Sequence, residues 1–168
     1  MSANFSDDAF REQVKQNYQF AQWAGRTKEG TPEVRISDFR LAPGTQDRFT
    51  VEQGEPLEPS NRQNRITRYV SVSPAAREES RTIVTVFECK SVNDAHETLI
   101  DVVMTYMARN LPRCETTGLT VGDICFGSHG DVNLSVIFAR FNILVEIKSA
   151  KPGTTPRSRK VPPFHRKA

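Results

Sequence analysis

The stretch VGDICFGSHGDVNLSVIFARFNILVEI, residues 121–147, constrains the fold more than any other. Its second part, residues 132–147, holds sixteen consecutive strand-type residues, too many for an ordinary strand. The alternation also slips: Val132, Leu134, Val136 and Phe138 are in phase, whereas Phe141, Ile143, Val145 and Ile147 follow the opposite phase. Because side chains alternate with period two, a phase change demands a turn or a bulge. Asn142 tolerates left-handed backbone, so the slip predicts a tight hairpin around Arg140–Asn142, with one bulged strand as the alternative. Val121–Gly127 reads as a preceding strand and GSHGD as a turn-rich connector.

The rest of the chain supplies partners for that sheet. Residues 6–24 read as an amphipathic helix: Ser6 can cap it, Asp7 and Asp8 suit its positive end, and Gly25 can terminate it. Phe10, Val14, Tyr18 and Ala21 fall at helical spacing, with Trp23 near the end. EVRISDFRL and RFTVE are short strand candidates, and QGEPLEPSNRQNR is a surface loop. ITRYVSVS alternates, with Ile66, Arg68, Val70 and Val72 on one face and Tyr69 on the other. RTIVTVFEC is apolar nearly throughout, as a central strand covered on both faces would be. A second helix over about 92–109 starts at a Ser91 cap with Asp94 three residues on, and stops before Pro112. Ala95, Leu99, Val102, Val103, Tyr106 and Met107 form its apolar stripe.

The order helix, strands, helix, strands predicts an α+β domain over residues 1–150. Two main helices would pack on a twisted antiparallel sheet of six or seven strands. In order of elements this resembles the Mog1/PsbP-like group and, less closely, cystatin-like sheets. The likeness implies a fold and no function.

The net charge of +3 needs dividing. The last eighteen residues carry Lys151, Arg157, Arg159, Lys160, Arg166 and Lys167 and no acid, leaving 17 basic and 20 acidic side chains before them. The domain is therefore mildly acidic, and residues 151–168 read as a basic, Pro-containing disordered tail. Its Arg157, Arg159, Lys160, Arg166 and Lys167 would supply any contact with nucleic acid or an anionic surface, which would then depend strongly on salt. Three cysteines fit no metal spacing, and an odd count makes a poor disulfide framework, so reduced thiols in a cytoplasmic protein are expected. A Cys114–Cys125 bridge belongs to the alternative of an exported protein. The N-terminus predicts no signal peptide, and no run reaches the length of a membrane span.

The catalytic candidates are few. Cys89 ends the central strand and His96 lies in the first turn of the next helix, a pairing that can activate a thiol. Glu88, Asp94 and Glu97 are close in sequence and oppose that activation, so His96 is expected to face solvent. Asp94, His96, Glu97 and Asp101 form an acidic helix face, the one candidate metal set, but position 100 is Ile where a zinc-protease helix needs its second His. Asp123, His129 and Asp131 read as turn and surface residues. No cofactor motif is present. The reading favoured is a non-catalytic macromolecule-binding module, such as an adaptor or a toxin-neutralising immunity protein, binding a protein through a sheet face or edge. A homodimer is among the assemblies such a surface allows. The alternatives are a small enzyme using Cys89, His96 or the acidic helix face, and an anionic contact through the tail.

Overall fold

The phase slip at Arg140 is a hairpin. In the computed structural model, which describes residues 7–25, 33–57, 61–71, 81–105, 111–114, 121–129 and 133–150, strands β5 (Asn133–Arg140) and β6 (Ile143–Ala150) pair antiparallel, with Arg140 opposite Ile143. Phe141, rather than Asn142, takes the left-handed backbone of the two-residue turn, at φ 56°. A non-glycine residue there is costly, so the surroundings must hold it. Asp123 does so, its carboxylate accepting the Phe141 N–H at 2.8 Å while its own N–H donates to the Ala139 carbonyl at 2.7 Å. The neighbouring Gly122, at φ 72°, lies so close to the Ala139 backbone that a Cβ would collide with it.

The six strands of the described residues form one antiparallel sheet in the order β1 (Phe49–Gln53), β2 (Gln63–Ser71), β3 (Arg81–Cys89), β6, β5, β4 (Ile124–His129). Strand β3 is central, as its apolar run predicts: Phe87 and Cys89 are buried on one face and Val86 on the other. The first core face carries the cross-strand row Ile66, Phe87, Leu144, Ala139, Ile124. Over it lies α3 (Val92–Thr105), whose Ala95, Leu99, Ile100, Val102 and Val103 are buried. Each of the Leu, Ile and Val side chains contributes about 1.5–3 kcal/mol of burial. The helix starts as its sequence predicts, with the Ser91 hydroxyl accepting the Asp94 N–H at 3.0 Å and donating to the Asp94 carboxylate.

Two expectations are corrected. The helix over 6–24 is split into α1 (Asp7–Asn17) and a single turn, α2 (Phe20–Trp23), by Gln19 in left-handed backbone at φ 53°. The break rotates the stripe, leaving Ala21 exposed and burying Trp23, whose indole N–H donates to the Tyr18 carbonyl at 2.7 Å. EVRISDFRL is not a strand. It crosses the second face of the sheet with a 3-10 turn at Ile36–Asp38, because side chains meet its backbone groups. Asn142 brackets Val34, accepting its N–H at 2.7 Å and donating to its carbonyl at 2.8 Å, while Glu88 accepts the Ile36 N–H at 2.7 Å. Ile36 packs there with Val86, Ile143 and Val145.

Candidate functional site

The residues that suggested catalysis are sealed inside the fold. Cys89 is fully buried, and its sulfur contacts the Thr98 hydroxyl at 3.7 Å. Burial pushes its thiol up to about 12; the Thr98 bond lowers it, and the charges of Asp94, Asp101 and Glu88 raise it further. A thiolate is the nucleophilic form, so this site suppresses the chemistry that its sequence position suggested. The expectation that His96 faces solvent is overturned: it is 2% exposed, its ring edge-on to Trp23 with centroids 5.2 Å apart. Burial holds its pKa down, against the raising charges of Asp123 and Glu97. Neither ring nitrogen has a hydrogen-bond partner among the described residues, which marks a neutral imidazole in an apolar setting.

The four acidic-face residues do not converge either. Asp94 is committed to the Ser91 cap and His96 points into the core. Glu97 bonds Arg11 and takes Lys15 at 3.0 Å, while Asp101 takes Arg11 and Arg62. Arg11 and Lys15 stand one turn apart on α1, opposite Glu97 and Asp101 one turn apart on α3, so complementary charges clamp the two helices. Burial pushes the Glu97 carboxyl up, but the bonds from Arg11 and Lys15 outweigh it and hold it below the ordinary range. Among the described residues no group of three or more His, Cys, Asp or Glu is placed to hold a metal ion. Asp123 is a turn residue, as expected; Asp131 and the tail residues Arg157, Arg159, Lys160, Arg166 and Lys167 lie outside the described residues.

What the sheet leaves uncovered is of a different kind. Beyond the end of α3, the first core face turns from apolar to charged along the row Glu52, Arg68, Thr85, Glu146. This row, with Val70, Ile83, Phe87, Val102 and Lys148, borders an open cleft of about 290 Å³. Glu146 is 5% exposed and paired with Lys148 at 2.9 Å. Burial raises its carboxyl pKa, against the lowering influence of Lys148 and Arg68.

The edges of the sheet differ sharply. Along β4 the segment 111–114 lies in strand-like contact: the Gly127 N–H donates to the Pro112 carbonyl at 2.9 Å, and Arg113 bridges to Phe126. Cys114 and Cys125 are joined in a disulfide, Cα atoms 5.4 Å apart, correcting the expectation of three reduced thiols. Tyr18 secures the same segment, its hydroxyl accepting the Leu111 N–H at 3.1 Å and its ring packing edge-on against Phe126.

No described residue pairs with the outer side of β1. The Gly54 N–H donates to the Ile66 carbonyl at 3.0 Å, continuing the β1–β2 register, so Thr50, Glu52 and Gly54 direct their backbone groups inward. By alternation, Val51 and Gln53 present N–H and C=O outward. Val51 is 65% exposed, the sole large exposed hydrophobic among the described residues. The sequence signalled an edge only generically; which strand was outermost depended on pairings separated by up to 69 residues, from Arg81 to Ala150. Comparison with family models, with curated proteins and with solved structures gives no match to this chain.

Proposed function

We propose that the chain is a non-catalytic protein-binding module that accepts a partner's strand along β1. The supporting observation is the open edge itself: outward backbone groups at Val51 and Gln53 beside an exposed Val51 side chain, on a sheet whose other edge is covered. Strand addition draws affinity from backbone hydrogen bonds and specificity from alternate side chains, and both are on offer here. An adaptor or a toxin-neutralising immunity protein would use such a surface, and the likeness in element order to Mog1/PsbP-like or cystatin-like folds carries no function with it. Burial of Cys89 and His96 weighs against the small-enzyme reading. The Cys114–Cys125 bridge supports the exported alternative over the cytoplasmic one, because disulfides persist in oxidising compartments.

The test uses full-length bait carrying Val51→Pro. That change removes an outward donor and leaves the β1–β2 ladder intact. Wild type should recover a stoichiometric protein partner that Val51→Pro, folded by circular dichroism, does not. Equal recovery by both would overturn the reading. A chain ending at residue 150 should bind as well as full length, whereas loss of binding there would assign the contact to the basic tail.

A further inference from the structure

We infer that the occupant of the β1 edge is a second copy of this chain, paired antiparallel through Phe49–Val51 about a two-fold axis at Thr50; this rests on the edge reading above and names its partner. Backbone phase limits the choice. Val51 and Gln53 bond outward, so a second β1 must place odd-numbered residues opposite odd-numbered ones. An axis at Thr50 sets Val51 opposite Phe49, an axis at Val51 sets it opposite itself, and an axis at Glu52 opposes two like charges.

Side chains on both faces select the axis at Thr50. On the charged face, the row Glu146, Thr85, Arg68, Glu52 carries separated charges of alternating sign from β6 to β1. Pairing about Thr50 brings the exposed Arg48 of the second copy, which closes the 3-10 turn Gln46–Arg48 just before β1, to the place beside Glu52, where it continues that alternation of charge. On the opposite face, the row Val136, Ile147, Val84, Tyr69, Val51 is apolar throughout and ends on the exposed Val51. The same register lays Phe49 of the second copy over that end. Charge therefore meets opposite charge on one face and apolar meets apolar on the other, each twice by symmetry. The Val51 N–H of each copy meets the Phe49 carbonyl of the other. The Phe49 N–H is already bonded to the Gln46 carbonyl, so the central ladder is short and the dimer concentration-dependent.

Sedimentation equilibrium across a concentration series tests this, with each variant's fold checked by circular dichroism. Wild type should move from monomer to twice the monomer mass, and Val51→Pro should remain monomeric. Arg48→Glu should weaken association by about tenfold, and the swap Arg48→Glu with Glu52→Arg should restore it. Thr50→Cys should crosslink through its own symmetry mate, because non-hydrogen-bonded pairs sit about 4.5 Å apart at Cα. A wild type that stays monomeric, or a dimer that persists in Val51→Pro, overturns the inference. A dimer whose charge swap gives no rescue overturns the Thr50 axis. A monomeric wild type whose partner capture is nevertheless lost in Val51→Pro eliminates the second copy and leaves the edge module standing; capture indifferent to Val51→Pro eliminates the module itself.

Discussion

At one end of the sheet β4 is covered by residues 111–114 and tied down by a disulfide, a backbone bond to Gly127 and the Tyr18 hydroxyl; at the other, among the described residues, β1 ends in open backbone and an exposed valine. Both are edge strands of the same antiparallel sheet, and both would template pairing if left bare. The elements covering the β4 end come from distant parts of the chain: α1, α2 and the Pro112 segment converge on Phe126 through Tyr18 and Trp23. Edge protection is thus applied selectively. The strand left exposed is short, carries the charge of Glu52, and is suited to a controlled partner rather than indiscriminate aggregation.

The largest expected effect comes from removing the cover. Replacing both Cys114 and Cys125 by Ser opens a link between residues 11 apart, which should cost roughly 3 kcal/mol in denaturant unfolding under oxidising conditions. Amide exchange at Gly127 should quicken while that at Val51 stays fast in both proteins. Unchanged protection at Gly127 would show that the disulfide is not what closes this edge. In the wild type, a thiol count on denatured, unreduced protein should find one free cysteine, Cys89, in place of three.

The contrast between the two ends was unevenly legible in the sequence. Hairpin β5–β6, central β3 and the capped start of α3 each follow from a local signal: a phase slip, an unbroken apolar run, a Ser91–Asp94 pair. The break at Gln19 carries no such signal, since no glycine or proline marks it; tertiary burial of Trp23 decides it. EVRISDFRL reads as a strand because its alternation is real, yet Asn142 and Glu88, distant in sequence, satisfy the Val34 and Ile36 amides. The same blindness to distance made His96 look exposed and made Glu97 and Asp101 look like ligands. Their partners Arg11, Lys15, Arg62 and Trp23 come from α1, α2 and the residue just before β2.

Acid should separate the ends. His96 belongs to the covered end, packed on Trp23, and burial holds its pKa below the ordinary 6.5. The folded chain therefore resists a proton that the unfolded chain accepts, so stability is full above about pH 6.5 and is lost as pH falls below it. His96→Phe, which keeps a ring against Trp23 and removes two unpartnered nitrogens, should abolish that loss at a neutral-pH change of under about 1.5 kcal/mol. Thermal melts of both proteins at pH 7 and pH 5 check this; parallel shifts would mean that His96 is not the group responsible.

Glu146, on interior strand β6 in the charged row that leads out to β1, has the opposite sign. Its folded pKa is raised above the ordinary 4.5, so the folded state holds a proton more tightly, and the cost of its buried charge is relieved as pH falls toward 4.5. Glu146→Gln should therefore raise stability at pH 7 by up to about 1 kcal/mol, with the gain shrinking on acidification. A loss at pH 7 would show that the Lys148 pair outweighs the burial of the carboxylate.

The smallest effect on stability should come from Val51→Lys. At 65% exposure Val51 contributes little to the core, so lysine there should change unfolding by no more than about 0.5 kcal/mol. A lysine on an edge strand is also a standard guard against pairing. The substitution should therefore remove self-association or partner capture while leaving the melting curve in place, separating the edge's role in binding from any role in the fold. If Val51→Lys instead lowered stability by several kcal/mol, the β1 edge would be part of the structural core. The asymmetry between the two ends would then be one of depth rather than of purpose.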